Sequence, residues 1–166
     1  FKYYNPQFLN ESYNIVSHEF DQEFNYLSYV KMIEKKTDLD NEDIQKNAFS
    51  IPVLIYHGIS ESEYKDNVLL TNFEEQMFRL KEEGYETITL EEFYKFMQGK
   101  EQLAEKSFLL TFDEGIKTSY YNTDSLLRAL DYNAVMFIIT KYSLSEGSNY
   151  YLSLNEVNKM LDSGRW

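Results

Sequence analysis

The chain has 166 residues, 43% hydrophobic and 27% charged, with a formal net charge of -12 and no Cys. That length suits one domain with an appendage and enough apolar residues for a core, while the missing cysteines exclude disulfides, thiolate zinc sites and cysteine nucleophiles. The acidic surface repels phosphate backbones and anionic lipid, so nucleic acid is not an expected partner, and no apolar run reaches the roughly 18 residues of a membrane span.

The first stretch is periodic. Tyr13, Val16, Phe20, Phe24, Leu27 and Val30 recur at three- and four-residue steps, which predicts a helix over about 11–35. Two readings fit it: a docking or coiled-coil stalk, or a helix packed on the neighbouring domain. The polar stretch Lys35 to Asp43 reads as a linker. These features divide the chain into a helical extension, 1–49, and a domain, 50–166.

From Ser50 the pattern changes. Ile51 to Tyr56 is a continuous apolar run, expected of a strand buried on both faces. A loop spans Gly58 to Leu70. Thr71 and Glu74 form a capping-box pattern for a helix that ends near Gly84 and buries Phe73, Met77 and Leu80. Thr87 and Ile88 lie in a short strand. Thr89 and Glu92 repeat the capping pattern, ahead of inward-facing Phe93, Phe96 and Met97. Phe108 to Phe112 is the next buried strand, succeeded by a helix carrying Leu126, Leu127 and Leu130. Ala134 to Thr140 is a fourth strand. Ser153 and Glu156 cap a last helix bearing Leu154, Val157 and Leu161. Four strand-helix units predict a parallel α/β sheet, open or rolled into a barrel. The next element of such a series would be another strand, so the sequence reads as truncated. The edge left beside Ala134 to Thr140 predicts self-association, or cover by the 11–35 helix.

In such folds function gathers at the carboxyl ends of strands. One such end is Tyr56-His57-Gly58, and the other is Thr111-Phe112-Asp113-Glu114-Gly115. Adjacent carboxylates are costly to hold together without a cation or a proton. Asp113 and Glu114 therefore read as a general base beside a metal ligand, or as a solvated loop that caps the next helix. His57 reads as a residue of the substrate cleft, or as a hydrogen-bonded structural histidine. The chain holds only two His, His18 and His57, too few for a site of several imidazoles. The 15 Tyr and 12 Phe reflect compositional bias, or surfaces on which sugar rings stack.

Thr111 to Gly115 resembles the T-F-D-D-G motif of the polysaccharide deacetylases, also called carbohydrate esterase family four or the NodB-homology domain. Val53 to Ile59 resembles that family's opening strand, and Phe73 to Thr89 the helix and strand after it. Ala134 to Thr140 resembles its A-T-F-F-V strand, and Glu156 to Trp166 the helix leading to its second motif. The resemblance covers about 50–166, the amino-terminal half of the family's domain. It implies a distorted (β/α)7-type barrel and metal-dependent hydrolysis of N-acetyl groups on an N-acetylglucosamine-containing polysaccharide, by a secreted or cell-surface protein. It implies Asp113 as general base and Glu114 as a ligand of a divalent metal, zinc by family habit, while His57 is not one of that family's metal ligands.

Two departures stand out. The motif reads Asp-Glu, and glutamate is longer by one methylene, about 1.5 Å, where metal distances tolerate about 0.2 Å. The family's His-x-x-x-His is also missing from this chain. The chain by itself is thus expected to hold zinc weakly and to be inactive. The alternative is a catalytically inactive protein of this fold that binds glycan.

Overall fold

The computed structural model describes residues 26–33, 46–62, 67–143 and 148–166. The expected linker and the helix before residue 26 lie outside them. The elements are a helix α1 (26–33), β1 (Val53–Tyr56), β2 (Ile59–Ser60), β3 (Val68–Leu69), α2 (Leu70–Glu82), β4 (Glu86–Thr87), α3 (Leu90–Met97), β5 (Ser107–Phe112), α4 (Lys117–Leu130), β6 (Val135–Met136), α5 (Thr140–Ser143) and α6 (Leu154–Asp162). Among these residues no helix is long and apolar enough to cross a membrane.

β5 organises the main sheet, and every residue of it is buried. Leu109 to Phe112 pair in parallel with Val53 to Tyr56 of β1. The opposite edge of β5 is shared. Ser107 and Phe108 pair with β4, and Thr111 and Phe112 pair with β6, both in parallel. Ile88 N–H donates to the Phe108 carbonyl at 2.9 Å and Phe137 N–H to the Phe112 carbonyl at 2.8 Å. Leu109 and Asp113 N–H groups point the other way, to Pro52 and Tyr56. This is the alternation of a parallel ladder. Between β1 and α2, β2 and β3 form a small parallel pair inside the stretch expected to be loop.

The period of two then sorts side chains into layers. Leu54, Tyr56, Leu110, Phe112 and Met136 join Phe73, Met77, Leu126 and Leu130 of α2 and α4 in the main core. Leu109 and Val135 face the other way, with Ile88, Phe93 and Phe96. The sheet is thus a mixed α/β layer of parallel strands, as expected. β1, however, is not buried on both faces. Val53 is 41% and Ile55 60% exposed, because no described element covers that side of β1. The fourth strand is also shorter than expected. Phe137 takes the last carbonyl that β5 offers, so residues 138–140 have no strand to pair with and the chain turns into α5.

The described helix of the extension, α1, packs against the domain. Tyr26, Val30 and Ile33 are buried in the main core. The rings of Tyr26 and Tyr29 lie 5.8 Å and 4.5 Å from that of Phe78. Tyr29 donates to Glu82 at 2.8 Å, and Tyr26 donates to Glu74. Burial pushes the Glu74 carboxyl up, opposed by the bond from Tyr26. Of the expected stripe, Val30 is buried as expected and Leu27 is exposed, with Tyr26 and Ile33 buried instead. These contacts lie on α2, so the described part of the helix is not the cover for the β6 edge.

Two of the three capping boxes form. Thr89 and Glu92 cap α3, and Ser153 and Glu156 cap α6, each with both reciprocal bonds. Thr71 and Glu74 do not. β3 runs straight into α2, whose N-cap is Leu69 with no side-chain bond, and Glu74 is engaged by Tyr26 instead. Leu80 is half-buried, and Phe78 is buried beside Phe73 and Met77. Met97, Leu154 and Leu161 are exposed, and Met160 is the buried residue of α6.

Glu156 also ties α6 to α4. Its carboxylate accepts from Tyr121 at 2.8 Å and pairs with Lys117 Nζ at 3.0 Å. Burial pushes this carboxyl up, but bonds from Ser153, Lys117 and Tyr121 outweigh it and hold its pKa at about 2. A depressed carboxyl contributes stability above its unfolded value, and that contribution is lost as pH falls through the folded value. Wild-type thermal midpoints should therefore fall between about pH 5 and pH 2, and Glu156→Gln should lower the midpoint at pH 7 and flatten that slope. A variant with an unchanged acid limb would show that the pairing does not stabilise the fold.

Candidate active-site turn

The acidic turn leaves the carboxyl end of β5. Asp113 N–H donates to the Tyr56 carbonyl at 2.8 Å, extending the β1–β5 ladder by one step. The register Tyr56 to Phe112 then sets His57 level with Asp113 on the neighbouring strand. Both Asp113 and Glu114 are half-buried, and His57 is exposed. Its imidazole is thus not packed beneath the loop as a structural histidine would be. The backbone carries the order here. Ser119 Oγ donates to the His57 carbonyl at 2.6 Å, Asn122 to the Ile59 carbonyl at 2.9 Å, and Val68 N–H to the Gly58 carbonyl at 2.9 Å.

Neither carboxylate caps the next helix. The N-cap of α4 is Ile116, which makes no side-chain cap bond, and the first turn holds no acidic residue. Glu114 and Gly115 have φ of 70° and 69°. Two successive positive φ values are what a type I′ turn requires, and Asn-Gly or Asp-Gly supplies them most easily. Gly115 meets the demand without a Cβ. Even without the strain, a Cβ there would lie 3.2 Å from Ser143 Oγ of α5. Glutamate at 114 sits in a region that costs an ordinary L-residue about 1–2 kcal/mol and Asp or Asn less. Glu114→Asp should therefore raise stability by about 0.5–1 kcal/mol, read as a higher urea midpoint. A lower midpoint would mean that glutamate makes a compensating contact.

Asp113, Glu114 and His57 share one end of the sheet, but among the described residues no group of three or more His, Asp or Glu side chains stands close enough to hold a metal. Residue His18 lies outside the described residues. The turn offers two adjacent half-buried carboxylates.

The segment lying against the turn is one that sequence motifs do not mark. Lys117 N–H donates to the Tyr150 carbonyl at 2.8 Å, and Leu152 N–H to the Gly115 carbonyl at 2.9 Å. It carries no local signal, because a Tyr-Tyr pair in a chain with 15 Tyr looks like composition. Arg165 and Trp166, at risk of fraying as end residues, are docked. Trp166 Nε1–H donates to Asp124 at 2.8 Å, and its ring lies 5.4 Å from Phe112.

No family model matches the chain. It is 29% identical over 133 residues to a Bacillus subtilis (strain 168) protein named "Putative polysaccharide deacetylase YxkH", covering 80% of this chain and 46% of that one. Among solved structures it is similar to the Streptococcus pyogenes deacetylase PplD, solved in complex with acetate. The TM-score is 0.57 at 29% identity, over 72% of this chain and 54% of that one. It is also similar to a polysaccharide deacetylase of Bacillus cereus, with a TM-score of 0.57 at 28% identity, over 73% of this chain and 37% of that one. The fold is shared with IcaB from Ammonifex degensii at a TM-score of 0.63 and 22% identity, over 73% of this chain and 51% of that one. The chain thus spans about half the length or less of these relatives.

Proposed function

This chain matches, in sequence and in fold, part of a polysaccharide deacetylase domain of the NodB type, and on that premise we propose that it carries the carboxylate pair of a deacetylase acting on an N-acetylglucosamine-containing polysaccharide. The observation that supports this most is the turn itself. Asp113 is fixed in the β5 ladder, at the strand end where α/β folds place their chemistry, and neither it nor Glu114 is used as a helix cap.

In this reading Asp113 is the general base. It takes a proton from the water that attacks the acetamide carbonyl. The water oxygen bonds to the acyl carbon, the C–N bond breaks, and the amine leaves with a proton as acetate forms. Glu114 is read as one ligand of a divalent metal in the whole protein, zinc by family habit, and His57 as a residue of the substrate cleft. Zinc takes at least three protein ligands, and the described residues assemble no such group. The described residues therefore do not by themselves make up a complete metal site. Calorimetry on this chain should show weak zinc binding, and tight one-to-one binding would overturn that account.

The whole protein is read as secreted or cell-surface, where such a polymer is met. The outer edge of the β6 run is taken at its start, where Ala134 N–H donates to the Arg165 carbonyl at 2.9 Å, and self-association is read at the rest of that edge, which light scattering on the chain tests directly. A second reading is a catalytically inactive protein of the same fold that binds glycan. The glutamate at a turn position better suited to aspartate favours it. Acetate release from chitin oligomers by the whole protein tests the first reading. Activity kept or raised by Glu114→Asp supports the enzyme, and no release from either form supports the binding protein.

A further inference from the structure

We propose that Tyr142, Tyr150 and Tyr151 form a stacking platform for hexosamine rings next to the acidic turn, which rests on the deacetylase reading of that turn and names how a neutral glycan is held there. The rings of Tyr142 and Tyr151 lie 4.8 Å apart at an interplanar angle of 17°, and Tyr150 meets Tyr151 edge-on at 4.8 Å and 84°. Tyr142 and Tyr150 are each 41% exposed. Single exposed aromatics are ordinary, whereas contiguous ones at a surface mark a binding site.

The cluster is also fixed to the turn. The Ile116–Tyr151 bridge and its two backbone bonds hold 150–152 against 115–117, directly after Glu114. On the other side α5, which carries Tyr142, packs Ser143 against Gly115. A platform held by backbone bonds loses little freedom when a ligand binds.

The chemistry selects a sugar. An aromatic face is electron-rich and attracts the polarised C–H groups on one side of a pyranose. The net charge of -12 disfavours anionic polymers and leaves a neutral or partly cationic one. Lys141 Nζ lies 5.8 Å from the Tyr142 ring centroid. Such an exposed cation–π contact is weak enough for a sugar to displace.

Titrating this chain with chitotetraose, and separately with cellotetraose, while monitoring tyrosine ring signals by NMR tests the proposal. Chitotetraose should shift those signals. Tyr142→Ala and Tyr150→Ala should each weaken binding about fivefold to tenfold, Tyr142→Phe should keep it, and Lys141→Ala should leave it unchanged or tighter. Unfolding midpoints close to wild type in the two exposed-tyrosine variants would exclude a folding defect as the cause. Unchanged affinity in both alanine variants, or no binding at millimolar sugar, overturns the platform, and the deacetylase reading then stands or falls on acetate release alone. Equal binding of cellotetraose would show that the platform does not select hexosamine rings and would overturn that assignment. Dissociation of a dimer by Tyr142→Ala, with no sugar bound, would make the cluster a contact between copies and overturn the proposal.

Discussion

Under the proposed roles, Asp113→Asn in the whole protein should lower acetate release from chitin oligomers by about 10² to 10⁴, the usual worth of general acid–base catalysis, and should leave its metal content unchanged. Asparagine matches aspartate in size, and the bond that fixes this residue runs from its backbone N–H to the Tyr56 carbonyl. The turn therefore keeps its geometry and loses only a group able to accept a proton. Glu114→Gln gives the opposite signature, a fall in metal content, because a neutral amide is a poor zinc ligand beside a carboxylate. Acetate release and metal content on the same samples separate the two. Loss of metal in the Asp113 variant and retention in the Glu114 variant would exchange the two roles.

Phe73→Ala destabilises the fold by about 3–5 kcal/mol. Its ring is fully buried between α2 and the sheet, 5.0 Å from Tyr56 and 5.8 Å from Phe112. Small domains are stable by only about 5–15 kcal/mol, so the variant should unfold at markedly lower urea. Ile55→Ala is the internal control. Ile55 is also an apolar residue of the sheet, but at 60% exposed its loss should change stability by about 0.5 kcal/mol or less. Equal effects of the two substitutions would mean that the open face of β1 is covered in solution.

What was legible in the sequence was local. The apolar run ending at Phe112, the Thr89 and Ser153 capping boxes and the glycine at 115 each depend on neighbours within a few residues, and each is found as expected. Several of the failures turn on contacts, or their lack, with parts of the chain distant in sequence. Glu74 matches the capping pattern and is engaged by Tyr26, 48 residues away. The run Ala134 to Thr140 has strand composition and stops pairing where β5 stops offering carbonyls. Val53 and Ile55 look like core and lie on a side that nothing described covers. The acidic pair was visible as a motif, but the positive φ of Glu114 and the pairing of 150–152 with 115–117 leave no mark in the local sequence.

The main sheet is a star rather than a ladder. β1, β4 and β6 each pair with β5, and no two of them pair with each other. Fraying of any one of these strands leaves the other two in place, while release of β5 frees them all. In hydrogen exchange the amides of β5 should consequently open only with the whole domain, and those of the short strands earlier, by local motion. Asp113 is joined to that last-opening strand. Its position at the strand end should therefore be insulated from breathing at the periphery, which would mount the proposed general base on the last part of the fold to open.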